Sequence, residues 1–338
     1  MMKAALMRSP GVLDVDEVDD PVLPEGGVLL EVLACAVCGT DIKMLEAGHR
    51  DLTYPRIPGH EVSAEVLETD SPLLRKGDRV QVWPGESCGS CSDCRAGNDH
   101  LCPQVRIMGF NTDGGMAELL AVNDPARLVP IGEADPVLLT LAEPLACCIN
   151  AQEKLGVGEG DSVLILGGGP MGCLNAFLAK RRGANRVMLS EPVLERLERA
   201  PKGLFDQVSQ PKGDDLVEMV RQGTNGRGAD VIIPCTPNVR LDRGVFDLLA
   251  PGGRLCVFSG PRKEDSPLPI DLRDLHYREL TVVGSYGNAS RHCREATGIL
   301  REGADLSWIF TGKYHLEEVR QAFGHASGRT GQKAVITF

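Results

Sequence analysis

The chain has 338 residues, 42% hydrophobic and 25% charged, with a formal net charge of -11, and a length that suits roughly two domains. Its acidic balance and 4% aromatic content offer neither a basic face for a polyanion nor a stacking platform for bases, which excludes nucleic-acid binding. No apolar run reaches the roughly 18 residues of a membrane span; the longest, 138–149, is interrupted by Glu143-Pro144. From the N-terminus, short apolar runs at 28–33, 62–67 and 79–82 alternate with turns such as Pro24-Glu25-Gly26-Gly27 and Lys76-Gly77-Asp78. Strands at that spacing predict a β-rich domain over residues 1–150.

Two motifs lie between the first two runs. Cys38-Gly39-Thr40-Asp41 and Pro58-Gly59-His60-Glu61 supply a thiolate, an imidazole and a carboxylate, a donor set suited to zinc. Three protein ligands leave a position for water or a substrate oxygen. Cys88, Cys91, Cys94 and Cys102 follow with the spacing C-x2-C-x2-C-x7-C. Four thiolates close a tetrahedral shell and leave no open position, so this second site is structural. The lobe around it, 87–103, has too few apolar residues to pack without its metal. Twelve cysteines in a long chain that turns polar by Arg8 are expected to be reduced thiols in the cytoplasm, not disulfides.

Near residue 155 the pattern changes. An apolar strand at 163–166 runs into Gly167-Gly168-Gly169-Pro170-Met171-Gly172, and a helical stretch follows at 173–182. G-x-G-x-x-G is weak evidence among 39 glycines, but between a strand and a helix it reads as a dinucleotide turn. Gly167 permits the turn, Gly169 admits the pyrophosphate and Gly172 allows helix and strand to pack. The helix start at Pro170 and Met171 then faces the phosphates. A second strand, 186–190, ends at Glu191, whose carboxylate suits the adenosine ribose hydroxyls and repels a 2′-phosphate. NAD is therefore expected over NADP. Arg196, about a turn further on and flanked by Glu195 and Glu198, opposes this only weakly. Strands at 230–234, 254–259 and 280–285 extend the alternation and predict a doubly wound parallel sheet over 151–286. Ligands bind at the carboxyl ends of such strands, which places Cys235, Thr236, Phe258 and Ser259 near the cofactor. The remaining chain reads as helical, closing with a strand at Lys333–Thr337.

Taken in order, Cys-Gly-Thr-Asp, Gly-His-Glu, the four-cysteine lobe and the glycine fingerprint resemble the zinc-dependent medium-chain dehydrogenase/reductase family over essentially the whole chain. Glu143-Pro144-Leu145 is most similar to the sorbitol/L-iditol 2-dehydrogenase-like branch: polyol and threonine dehydrogenases carry an acidic residue where other alcohol dehydrogenases have cysteine. The resemblance implies an α/β fold in which a Rossmann domain, 151–286, is inserted into a GroES-like catalytic domain of 1–150 plus 287–338. It implies two zinc ions per chain, the catalytic one held by Cys38 and His60 with Glu61, Glu143 or both. Asp41 would orient His60, and Thr40 would pass the alcohol proton toward solvent. Ser285 and Tyr286 would lie beside the nicotinamide. A homodimer or homotetramer would form through the strands at 254–259 and 280–285.

The expected reaction is NAD-linked hydride transfer from a secondary hydroxyl of a small polyol, sugar or cyclitol. Threonine or a simple secondary alcohol is the alternative within the family; a non-catalytic zinc- and NAD-binding protein is the alternative outside it. Lys43 stands where several relatives carry a histidine, which makes threonine less expected. His49, Arg50 and Arg56 lie in the loop between the zinc motifs, either solvated or facing a polar substrate. Cys147 and Cys148, with Cys35, Cys173, Cys235, Cys256 and Cys293, read as packing residues, with one of the first two also a candidate for the nicotinamide pocket.

Overall fold

Buried and less buried positions alternate through much of Val28–Ala36, and this strand organises the first half of the molecule. In the computed structural model, which describes residues 1–210, 215–236, 241–260, 270–328 and 331–338, it pairs antiparallel with Glu61–Thr69, Leu119–Val122 and Lys333–Thr337. The main path of that sheet runs Phe310–His315, Lys333–Thr337, Val28–Ala36, Glu61–Thr69, Arg79–Val82, Leu128–Pro130. Met2–Ser9 and Val12–Val18 form a separate hairpin. Leu30, Val32, Val62, Val66, Val80 and Met116 are among the residues of its core. The strand Phe310–His315 escapes sequence reading because Phe-Thr-Gly-Lys-Tyr-His mixes glycine and polar residues and lacks a clean period of two.

The chain divides into two compact units, Met1–Ala146 with Asn288–Phe338, and Cys147–Gly287. The first division falls inside the helix Ala142–Leu155. Glu143-Pro144 does not break that helix, because Pro144 sits in its first turn, where the missing N–H has no intrahelical partner to lose. Among the described residues, no helix is long and apolar enough to cross a membrane.

The second unit is a six-stranded parallel sheet. Its order is Gln207–Ser209, Arg186–Ser190, Ser162–Leu166, Ala229–Pro234, Leu249–Val257, Thr281–Gly284. This is the doubly wound order of a dinucleotide-binding fold, with the reversal beside Ser162–Leu166. Val163 and Ile165 pack into one cluster with Val187, Leu189, Val231 and Ile233. Leu164 and Leu166 pack into the opposite one with Met188, Ile232 and Leu255. Burial on both faces explains why these strands read as unbroken apolar runs. Leu249–Val257 is paired on both sides, so the edge pairing expected of 254–259 is not open to it; Thr281–Gly284 forms that edge.

Leu30 is fully buried at the centre of the antiparallel sheet. Leu30→Ala is expected to destabilise the first unit by about 2–5 kcal/mol, the usual cost of a core truncation, measured as a lowered urea midpoint with little change in m.

Candidate active site

Sheet register assembles the first site. Ala36, the last residue of its strand, pairs with Glu61 on one side and Val335 on the other. Cys38 therefore emerges beside the start of Glu61–Thr69 and of Lys333–Thr337. Cys38 is also the N-cap of the helix Gly39–Ala47. Its Sγ accepts from the Thr40 amide at 3.4 Å, and Asp41 Oδ2 accepts from the Cys38 amide at 2.9 Å. Gly59 has φ +100°, and a Cβ on it would lie 2.6 Å from Cys35 Sγ; only glycine delivers the chain to His60 by this route.

The donor atoms of Cys38, His60 and Glu61 lie within 4.8 Å of one another. Asp41 Oδ1 lies 3.5 Å from His60 Nδ1, so Nε2 is the nitrogen left to face a metal. Phe110 covers the imidazole, ring centroids 5.2 Å apart. Burial acts to lower the His60 pKa, but Asp41 and Cys38 together outweigh it and hold the imidazole well above its usual value. The Glu61 carboxylate meets Lys333 Nζ at 2.5 Å. Burial opposes a charged Lys333, yet Glu61, Cys38 and Glu143 hold its ammonium in the charged form. Asp41, Glu61 and Glu143 are all buried, so this region carries more acid than Lys333 can neutralise. The donor chemistry and the charge deficit both fit a divalent cation of the zinc type.

Glu143 does not belong to the three-residue set within 4.8 Å. It occupies the first turn of Ala142–Leu155, and its Oε1 accepts from Asn288 Nδ2 at 2.7 Å. Thr40 is partly exposed and Lys43 is exposed on the same helix. Arg56 is engaged by Asp113 at 2.7 Å, His49 stacks edge-on against Phe110, and Arg50 is exposed.

The cysteine lobe closes on itself. The sulfurs of Cys88, Cys91, Cys94 and Cys102 all lie within 4.8 Å of one another, with Cys91–Cys94 at 3.4 Å and Cys88–Cys94 at 3.9 Å. Four thiolates around one zinc stand about 3.8 Å apart, and a disulfide needs about 2.05 Å, so the spacing is that of a metal shell. All twelve cysteines are free. Hydrogen bonds from Ser90 and then the Cys91 amide pull Cys88 down to about 6, while burial pushes Cys94 up to about 11. The lobe rests on the helix Ser290–Arg301: Asp99 Oδ1 accepts from the Ser290 amide at 3.0 Å, and Arg291 Nε donates to the Gly97 carbonyl at 3.2 Å.

In the second unit, Gly167–Gly172 links Ser162–Leu166 to the helix Pro170–Arg181 at the point where strand order reverses. A Cβ on Gly172 would fall 1.9 Å from the Gly167 carbonyl oxygen, so helix and turn pack as glycine alone permits. Gly169 caps the helix without a side-chain bond, which leaves the first-turn N–H groups to an anion such as a pyrophosphate. Glu191 is buried; its oxygens accept from the Gly168 amide at 2.6 Å and the Val193 amide at 2.8 Å. A carboxylate has four lone-pair directions, so acceptor capacity remains. Arg196, expected a turn away, brings its Nη1 to 3.8 Å from Glu191 and lies against Gly169. Thr236 touches Gly167, Cys235 accepts from Asn175 Nδ2, and Ser259 donates to the Pro234 carbonyl; with Phe258 they sit at carboxyl ends of the sheet. Ser285 and exposed Tyr286 follow its edge strand. Burial pushes Cys173 and Cys256 up to about 12, as befits inert packing thiols.

Two residues escaped sequence reading. Lys333 opens an ordinary apolar strand, and nothing in Lys-Ala-Val-Ile-Thr separates a buried lysine from a strand-end one. Asn288 follows Ser285-Tyr286-Gly287 in a loop, where asparagine is the commonplace turn residue.

Two family models match the chain: "Alcohol dehydrogenase GroES-like domain" over residues 24–133 and "Zinc-binding dehydrogenase" over residues 170–302. The chain is 34% identical over 350 residues to an L-threonine 3-dehydrogenase of Pyrococcus horikoshii, covering 98% of this chain and 97% of that one. It is 32% identical over 309 residues to a D-altritol 5-dehydrogenase of Agrobacterium fabrum, covering 89% of each. A structure from Sinorhizobium meliloti 1021, described as a zinc-binding dehydrogenase bound to NADP, superposes with a TM-score of 0.90 at 30% identity. That match covers 100% of this chain and 99% of the other.

Removing Lys333 would leave the Glu61 carboxylate buried without its ammonium. Lys333→Met is expected to cost about 3–5 kcal/mol, and Glu61→Gln with Lys333→Met less than the sum of the single changes, both read from chemical denaturation.

Proposed function

Because the chain belongs to the zinc-dependent medium-chain dehydrogenases, we propose that it oxidises a secondary hydroxyl of a polyol, sugar or cyclitol. It is an alcohol or polyol dehydrogenase that works with zinc and a nicotinamide cofactor. The observation that carries the substrate class is Glu143, a buried carboxylate outside the Cys38, His60 and Glu61 set but close enough to act on the charge of Glu61 and Lys333. A second acid near the reacting hydroxyl accepts a hydrogen bond from a neighbouring hydroxyl, which a polyol has and a simple alcohol lacks. The similarity to a D-altritol 5-dehydrogenase supports this reading. Oxidation of threonine is the second reading, favoured by the identity to L-threonine 3-dehydrogenases; exposed Lys43 weighs against it.

When bound, the metal makes the substrate hydroxyl more acidic and the nicotinamide accepts the hydride. Cys38, His60 and Glu61 hold the metal, with Glu143 close by. Asp41 fixes the His60 ring through Nδ1. Thr40 Oγ1, partly exposed at the helix start, passes the hydroxyl proton toward solvent. Burial pushes the Glu61 carboxyl up, and Lys333 opposes that push. Cys88, Cys91, Cys94 and Cys102 hold a second, structural zinc. The twelve free thiols and the open edge at Thr281–Gly284 support a cytoplasmic homodimer or homotetramer.

Glu191 makes NAD the cofactor in this reading. Arg196 at its side, with the NADP-bound relative, is what favours NADP as the alternative. A screen of polyols, cyclitols, threonine and simple secondary alcohols with both cofactors tests the assignment: the highest kcat/KM is expected for a polyol or cyclitol with NAD. Threonine, or NADP used as well as NAD, would overturn the corresponding part. Glu191→Ala is expected to shift preference toward NADP, and Arg196→Ala away from it.

Metal analysis is expected to return two zinc ions per chain, and Cys91→Ser to return one. In metal-stripped protein Cys88 is a thiolate above about pH 6, while Cys94 keeps its proton up to about 11. Zinc uptake by the lobe at pH 8 therefore displaces a proton, and its affinity rises with pH across that interval. Titration in weak buffer with a pH indicator checks the sign.

A further inference from the structure

Asn288 stands at the junction of three polar contacts inside the first unit. Its Nδ2 donates to Glu143 Oε1 at 2.7 Å. Its Oδ1 accepts from Cys293 Sγ at 3.2 Å, and its carbonyl accepts from Trp83 Nε1 at 3.1 Å. Glu143, Asn288, Cys293 and Trp83 are all buried. The thiol donor at Oδ1 fixes which way the amide faces, since a flipped amide would set an oxygen against the Glu143 carboxylate. The indole bond fixes the backbone, and the helix Ser290–Arg301, held from outside by Asp99, begins two residues later.

A neutral amide is a particular choice of partner. It orients a carboxylate without cancelling its charge, whereas the lysine opposite Glu61 does cancel one. Glu143 is directed by that bond and stands outside the three-donor set that Cys38, His60 and Glu61 form. We propose that Asn288 is a positioning residue that holds Glu143 beside the catalytic metal ligands and out of their shell, leaving one coordination position to the substrate hydroxyl. This rests on the reading of Cys38, His60 and Glu61 as that metal site. Without the amide, the Glu143 carboxylate is drawn to the cation as a further ligand and competes with substrate.

Cobalt exchanged into the reactive site gives the readout, with the lobe left in zinc. Visible spectra, kcat, KM and the rate of metal loss to a chelator are measured for wild type and variants. Asn288→Ala is expected to change the cobalt ligand-field bands toward higher coordination, to slow metal loss, and to lower kcat/KM about 10–100-fold, the range seen when a partner of a ligand is removed. Glu143→Gln in the Asn288→Ala background is expected to return the spectrum toward wild type. An Asn288→Ala protein with wild-type bands and wild-type kcat/KM overturns the proposal. Where Asn288→Ala fails to fold, Cys293→Ala carries the test: it frees the amide to rotate, so the same spectral change is expected at smaller size, and an unchanged spectrum overturns the proposal. Cys38→Ser separates the two levels. If it leaves the wild-type cobalt spectrum unaltered, the metal-site reading itself fails, whatever Asn288 does.

Discussion

The contact between Lys333 and Glu61 joins the last strand of the chain to the strand that follows His60, and the rest of the first unit is arranged around it. Burying a carboxylate and an ammonium is costly, and the pair is tolerable only because each desolvated charge faces the other at 2.5 Å. Formation of the pair requires Lys333–Thr337 to lie beside Val28–Ala36, so the C-terminal segment cannot dock in another register without stranding both charges. The same register places Cys38 at the mouth of the sheet. The site is thus written into strand order before any loop is considered.

Around that pair the acids outnumber the cations. Asp41, Glu61 and Glu143 are buried, and each is managed differently. Asp41 caps the Cys38 amide and turns its other oxygen to His60. Glu61 is neutralised by lysine. Glu143 is directed by an amide, which brings no charge of its own. The three treatments leave a region with a net demand for positive charge, and a soft–borderline donor pair of thiolate and imidazole at its centre. The cysteine lobe is a separate donor cluster of four sulfurs, tied through Asp99 to the helix that follows Asn288.

Legibility from sequence followed the strength of local signals. The parallel sheet was readable because its strands are apolar on both faces and its turn needs glycine at fixed offsets; Gly172, pressed against the Gly167 carbonyl, is such a constraint. The two donor clusters were readable because thiols and imidazoles at short spacing are rare. Phe310–His315 was not, since tertiary pairing with Lys333–Thr337 supplies what its own pattern lacks. Lys333 and Asn288 were not, since their importance lies in partners 272 and 145 residues away, and no local period encodes a pairing at that distance.

Arg196 shows the same limit in the nucleotide unit. Its neighbours Glu195 and Glu198 suggested a solvated cation, because charge balance along a sequence is counted by adjacency. In the fold the guanidinium turns inward to Glu191 and the glycine turn. Glu191 then does two jobs at once: it ties Gly168 and Val193 together through their amides, and it anchors an arginine over the phosphate turn. A carboxylate that pins the loop in this way is preorganised, so acceptor directions left for ribose hydroxyls cost no further ordering. The arginine beside it moderates the repulsion a 2′-phosphate would feel. On the proposed reading, cofactor choice in this chain is a balance between two side chains 3.8 Å apart, and a change to either one would move it.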